Sequence, residues 1–355
     1  MSNRAFTPLV PNAWYVAAWS NEVSDRPLAR QILNQNIVVF RNTAGEAAAL
    51  EDRCSHRAAP LSRGRVIDAG LQCGYHGMTF DGAGRCTVNP GEKTGKLCVR
   101  SYPVIERQKF IWIWMGDPAL ADPATIIDFP YHDREDEWPF QFGRYRIACH
   151  YMLLVDNLMD LTHIGFLHAK TIGGTPKVHI EASQETIATE NGVHMIRWAL
   201  NCPPPPTFVK AMGFTGNIDR WSDFEYVAPA WILQFGGALD TGRGAKENQN
   251  QQGALRVRLF HGATPETDSS CHYFWSIANG FRQDDPQAAK DLYDDVVPTF
   301  LEDQDMLEAQ QQTMAREPDR PLIVRAHDRA LVMAHRALDT FAQAAEALGK
   351  ARDLC

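Results

Sequence analysis

No stretch of this 355-residue chain is apolar over the ~20 residues that a bilayer span requires, and its opening, MSNRAFTPLVPNAWY, lacks the apolar core of a secretory signal. Both absences point to a cytoplasmic protein without a membrane partner. Basic residues are in deficit: 35 Lys and Arg stand against 43 Asp and Glu, for a net charge of −8. They form no basic cluster either, which argues against nucleic acid as a partner. There is no internal repeat, no G-x-G-x-x-G after a strand and no phosphate loop, so nothing suggests that the chain holds a nucleotide of its own. Cysteine is sparse. Of eight, Cys86, Cys98, Cys149, Cys202, Cys271 and Cys355 fall at no framework spacing and read as free thiols in a reducing compartment.

The two remaining cysteines each have a histidine partner, in Cys54-Ser-His56 and, sixteen residues on, Cys73-Gly-Tyr-His76. Thiolates bind iron and its bridging sulfides, and two Cys with two His are the ligand set of a Rieske [2Fe-2S] centre. A Cys2His2 zinc site uses the same residue types but pairs like with like, C-x2-4-C and H-x3-5-H. Here each pair is mixed, which suits a cluster held between two loops. Gly74 and Gly77 let the backbone pass close to the sulfurs, Tyr75 can aim its hydroxyl at one of them, and Asp81-Gly-Ala-Gly84 reads as a hairpin turn.

The expected fold class is α+β. Short β-rich runs from Ile32 to Ile113, among them Gln35–Arg41 and Phe110–Trp114, predict a small antiparallel β domain carrying the cluster. The Pro- and Asp-rich stretch Asp117–Pro130 then predicts a connection, dividing the chain into 1–122 and 123–355. In the second part the spacing is helical over 145–170, 285–315 and 327–348 and β-like over 185–200, 224–238 and 255–263, predicting an antiparallel sheet flanked by helices. The segments 202–206 and 240–253 read as loops.

An electron-relaying cluster needs an acceptor. Asp156–His168 offers Asn157, Asp160, His163 and His168 among apolar residues. Two His and a distant carboxylate on one face of iron leave open positions for oxygen. His163 and His168 are five apart, about 140° round an ideal helix, so they converge only if the helix is irregular or ends between them. The carboxylate is expected from Phe300–Leu307, where Glu302, Asp303 and Asp305 are all candidates.

With these motifs in place, the chain resembles the Rieske non-haem iron oxygenases, and within them the aromatic O-demethylases. The likeness runs through Asn12–Ala17, the cluster loops, Ile111–Trp114, Asp156–His163 and Thr264–Trp275. Ser55 and Met78 depart from the frequent Pro and Trp without removing a ligand. The resemblance implies a [2Fe-2S] cluster on Cys54, His56, Cys73 and His76, and a mononuclear Fe(II) on His163, His168 and Asp303 with Asn157 beside it. It implies that Asp160 bridges to a cluster histidine of a neighbouring subunit in a homotrimer, and that an NADH-dependent flavin and iron-sulfur reductase supplies the electrons. By likeness to the dicamba enzyme, Gln234 and His261 are expected to contact substrate. The expected reaction is O-demethylation of a methoxybenzoate with O2, vanillate giving protocatechuate and formaldehyde. The alternatives are oxygenation of another aromatic acid (a toluate, toluenesulfonate, phthalate or dicamba type) and a Rieske electron-transfer protein.

Overall fold

A computed structural model describes residues 9–348. The described residues form two units. One comprises Leu9–Asp128 with Thr264–Asp268 and the residues from Ala342 on; the other comprises Phe129–Ala263 and Ser269–Phe341.

The first unit consists of three small sheets: Trp14–Trp19 with Phe110–Trp114 and Val104–Arg107; Leu28–Ile32, Gln35–Arg41, Ala47–Glu51 and Ser101–Tyr102; and Arg65–Ile67, Gly70–Gln72, Thr79–Phe80 and Cys86–Val88. Phe110–Trp114 is buried at every position, whereas Gln35–Arg41 is buried only at its centre. Val38, Phe40, Leu50, Leu61, Leu71 and Phe80 pack into a core that includes Cys54 and Cys73. The expected turn at Asp81–Gly84 forms: Asp81 accepts through its side chain from the amides of Ala83 and Arg85, and the Gly84 amide donates to its carbonyl. The Asp117–Pro130 stretch contains no strand, and its Asp-Pro pairs start 3-10 turns at Pro118 and Pro123, capped by Asp117 and Asp122. Thr264 belongs with this unit, its hydroxyl donating to the Val16 carbonyl at 2.9 Å.

The second unit is built on a seven-stranded sheet in the order Phe140–Ile147, Ser270–Asn279, Leu255–Thr267, Trp231–Asp240, Ile218–Val227, Gly192–Cys202, Ser183–Ala188. The helices are α1 (Tyr151–Met159), α2 (Ile164–Leu167), α3 (Pro176–Glu181), α4 (Pro206–Met212), α5 (Pro286–Arg316) and α6 (Arg329–Leu348). Two expectations change. The 224–238 run is two strands, because Pro229 cannot donate to a ladder and breaks it into a turn. The residues around Tyr145 are strand, paired to Ser270–Asn279, and the helix starts only at Tyr151. Among the described cysteines, Cys86, Cys149, Cys202 and Cys271 are buried and outside any disulfide; Cys98, against expectation, is disulfide-bonded, and Cys355 lies outside the described residues.

Candidate metal centres

The apolar helix α1 stops at Asp160, whose backbone is extended (φ −121°, ψ 98°). The Asp160 side chain caps the next turn, Leu161–His163, by accepting from the Thr162 amide at 2.9 Å and hydroxyl at 2.7 Å. The short α2 follows, then a π-turn over Ala169–Gly173. Gly173 is required there, since a Cβ would lie 2.2 Å from the Ile164 carbonyl oxygen. These breaks resolve the five-residue spacing and bring both imidazoles to one place, where their ring centroids are 5.2 Å apart at 80°.

The third group comes from α5. Its buried positions Leu292, Val296, Thr299, Phe300, Asp303, Leu307 and Gln311 form one helical stripe, and Asp303 occupies a place otherwise mostly apolar. Asp305 is exposed on the other side. The ligand atoms of His163, His168 and Asp303 lie within 4.8 Å of one another. Asp303 Oδ1 is 3.0 Å from His168 Nε2 and 3.5 Å from His163 Nε2, and accepts from the Asn157 amide at 2.9 Å. The opposite ring nitrogens also have partners: His163 Nδ1 meets the Asp160 backbone carbonyl at 2.6 Å, and His168 Nδ1 meets Glu302 Oε2 at 2.8 Å. Acceptors on both Nδ1 atoms leave both Nε2 lone pairs for a metal.

Charge supports the same fit. Burial lowers the His163 pKa, outweighing the pull of Asp303. Burial also works against the His168 imidazolium, but Asp303 and Glu302 outweigh it and raise the pKa. The site thus favours positive charge between its imidazoles and carboxylates, which a divalent iron provides. Glu302, one of three open carboxylates in the sequence, meets the Nδ1 side of His168 rather than the Nε2 side that Asp303 faces. The contact from Asp160 to His163 is made by its backbone carbonyl, its carboxylate being turned to Thr162.

The cluster loops repeat one design. The Cys54 amide donates to the Ala59 carbonyl and the Ala58 amide back to Cys54; the Cys73 amide donates to Met78 and the Gly77 amide back to Cys73. Both fourth residues are left-handed, Ala58 at φ 55° and Gly77 at φ 76°. Both cysteines are buried and both histidines exposed, with the imidazole centroids 4.6 Å apart. Burial raises the Cys54 thiol pKa, as does Cys73, while the amides of His56 and Arg57 favour the thiolate. Two inward thiolates and two outward imidazoles fit a cluster with one iron held on each side. The Tyr75 ring lies 3.8 Å from that of His76, and the residue is 65% exposed.

Gln234 and His261 do come together, on neighbouring strands, with His261 Nε2 3.0 Å from Gln234 Oε1. His261 is deeply buried. It is 2% exposed, and its Nδ1 is taken by the Tyr273 hydroxyl at 2.7 Å, a partner that sequence spacing did not bring forward.

Residues 147–344 match the vanillate O-demethylase oxygenase C-terminal domain family, and residues 13–103 match the Rieske [2Fe-2S] domain family. The chain is 39% identical over 339 residues to a putative toluene-4-sulfonate monooxygenase system iron-sulfur subunit of Comamonas testosteroni, covering 95% of this chain and 98% of that one. It is 39% identical to a vanillate O-demethylase oxygenase subunit of a Pseudomonas strain, over 92% of this chain and 93% of that one. The crystal structure of dicamba monooxygenase bound to 3,6-dichlorosalicylic acid superposes with a TM-score of 0.88 at 34% identity, covering 96% of this chain and all of that one. Among the described residues no helix is long and apolar enough to cross a membrane. An N-terminal Rieske domain followed by this C-terminal domain makes the chain a member of the Rieske non-haem iron oxygenases of the vanillate and dicamba O-demethylase type, an oxidoreductase component with a [2Fe-2S] cluster and a mononuclear iron that works with a separate reductase.

Proposed function

We propose that this oxygenase O-demethylates a methoxybenzoate, vanillate in the first instance, with O2 and electrons from an NADH-dependent reductase, giving protocatechuate, formaldehyde and water. One methoxyarene, one O2, one NADH and one proton are consumed for each phenol, formaldehyde, water and NAD+. The observation that carries the reading is the convergence of His163, His168 and Asp303 on α5's sheet-facing side, in a chain alike over most of its length to a vanillate O-demethylase subunit. When bound there, iron supplies oxygen activation for attack on a methyl C–H bond, with electrons from the cluster.

The chain's own residues hold and orient. His163, His168 and Asp303 are the iron ligands in this reading, and Cys54, His56, Cys73 and His76 the cluster ligands. Asn157 steadies Asp303, Glu302 steadies His168, and the Asp160 carbonyl steadies His163. Both Asp160 side-chain bonds fall on Oδ1, leaving Oδ2 to accept from a cluster histidine of the partner subunit in a homotrimer.

The test is turnover with a vanillate-type reductase, NADH, O2 and vanillate. Formaldehyde and protocatechuate in equal amounts, each matching the NADH consumed, support the reading; NADH consumption without either product overturns vanillate. A second reading follows from similarity to two toluene-4-sulfonate monooxygenase subunits, at 39% and 37% identity. An aryl methyl group would then be hydroxylated to an alcohol, and toluene-4-sulfonate turnover without formaldehyde would mark it.

A further inference from the structure

We infer that Arg197 and Arg220 are positioning residues that form a cationic floor under the mononuclear site: they staple the turn after His168 to the sheet, and their charge, matched by no ion pair, favours ferrous over ferric iron. The inference rests on the reading of His163, His168 and Asp303 as iron ligands.

Arg197 and Arg220 are the two buried arginines among the described residues, 4% and 7% exposed. Arg197 lies opposite Ser222 and Arg220 opposite Ala199, so strand alternation puts both side chains on one face of the sheet. Their hydrogen bonds go to backbone carbonyls. Arg220 Nη1 donates to the Ile172 carbonyl at 2.8 Å, inside the π-turn that follows His168. Arg197 Nη2 donates to the carbonyl of His179 in α3. The His179 ring closes the same turn, with Nε2 2.8 Å from the Gly173 carbonyl; a carbonyl only accepts, so the ring proton is on Nε2. From the opposite side the Thr299 hydroxyl of α5, four residues before Asp303, donates to the Thr171 hydroxyl at 2.9 Å. The turn is thus held between the sheet and the helix that supplies the carboxylate.

Stapling alone needs no charge. A carbonyl asks only for an N–H, which a side-chain amide supplies without the several kcal/mol that an unpaired buried ion costs. Yet neither guanidinium has a carboxylate in hydrogen-bond range, and Arg197 Nε is buried with no partner. The charge that reaches Arg197 comes from the metal site: burial lowers its pKa, and Asp160, which caps the His163 turn, works against that fall. Burial brings Arg220 down to about 10, with Arg197 adding to the repulsion. His179 lies between the arginines and the ligands. Burial, then Arg220, Arg197 and His163, hold its pKa at about 3, so the ring feels both arginines and an iron ligand together. Positive charge so placed opposes a ferric ion more than a ferrous one.

The test is an anaerobic redox titration of the substrate-free holoenzyme with mediators, following the ferric signal of the mononuclear iron and the signal of the reduced cluster by electron paramagnetic resonance. Arg197→Gln and Arg220→Gln keep a donor and lose the charge. Each should retain about three irons per chain and the wild-type cluster midpoint, while the ferrous-to-ferric ratio at a fixed potential falls about tenfold, the order expected of one buried unit charge. Arg197→Lys, which keeps the charge, should stay within about twofold of wild type. Thr299→Val, which loosens the same turn without touching charge, should leave the ratio unchanged. Arg197→Met, uncharged and apolar, replaces Arg197→Gln if that variant does not fold, and is read in the same way. An unchanged ratio in the uncharged variants, an equal fall in Arg197→Lys, or an equal fall in Thr299→Val would each overturn the inference. A wild type holding about two irons per chain overturns the ligand reading and the floor with it; three irons with an unchanged ratio overturn the floor alone.

Discussion

The loops Cys54–Ala59 and Cys73–Met78 each close on themselves through the same two backbone hydrogen bonds, whereas the mononuclear site joins His163 and His168 to Asp303, 135 residues further on than His168. In the first region the cysteines are set by local turns and the histidines stand in solvent. In the second, a broken helix and the buried stripe of a long one must dock before any donor set exists. One centre is pre-shaped by short-range backbone geometry; the other is a product of packing, with an orienting acceptor behind each imidazole. Damage to one should therefore leave the other intact.

The largest expected effect comes from Asp303→Ala, which removes the carboxylate both Nε2 atoms face. Iron content should fall from about three to about two atoms per chain, with turnover lost and the [2Fe-2S] absorption kept. Loss of the cluster spectrum as well would show that the two regions are not independent. Removing an orienting group should do less: Glu302→Gln is expected to weaken mononuclear iron binding by about 10- to 100-fold, read by competition with a chelator, without touching the cluster.

The repeated loop design predicts an asymmetric pair. Gly77→Ala puts a Cβ on a left-handed residue and should destabilise the Rieske unit by about 1–2 kcal/mol, while Ala58→Gly removes that strain and should be neutral or stabilising, both read by denaturant unfolding. Equal effects would mean the two turns are not equivalent in solution.

The smallest effect concerns pH. His179 and His261 both lie in the second unit, and burial depresses both pKa values to about 3. The unfolded chain, titrating near 6.5, then binds more protons than the native one, so stability falls as pH drops from about 6.5 towards 3. His261→Gln should flatten that slope in denaturant titrations at pH 7, 6 and 5; an unchanged slope would show that His261 is protonated in the fold.

Residue spacing made the cluster plain, because mixed Cys-His pairs sit within two short loops and every constraint on them is local. It also foretold that the helix carrying His163 and His168 must be irregular. The choice of Asp303 over Glu302 and Asp305 was in fact available, since Leu292, Val296, Phe300 and Leu307 define a stripe on which only Asp303 of the three falls. His261 shows the opposite case. Its role depends on which nitrogen meets Tyr273 and which meets Gln234, and these cross-strand contacts have no signature along the chain.

The amino-acid sequence by itself determined the two-metal chemistry, the paired Cys-His loops and the alternation of sheet and helix, because residue type, turn residues and hydrophobic period act over a few neighbours. Only the tertiary structure decided that Glu302 is the acceptor behind His168 and that His261 stands between Tyr273 and Gln234, because those outcomes depend on buried groups finding partners more than a hundred residues away or across strands.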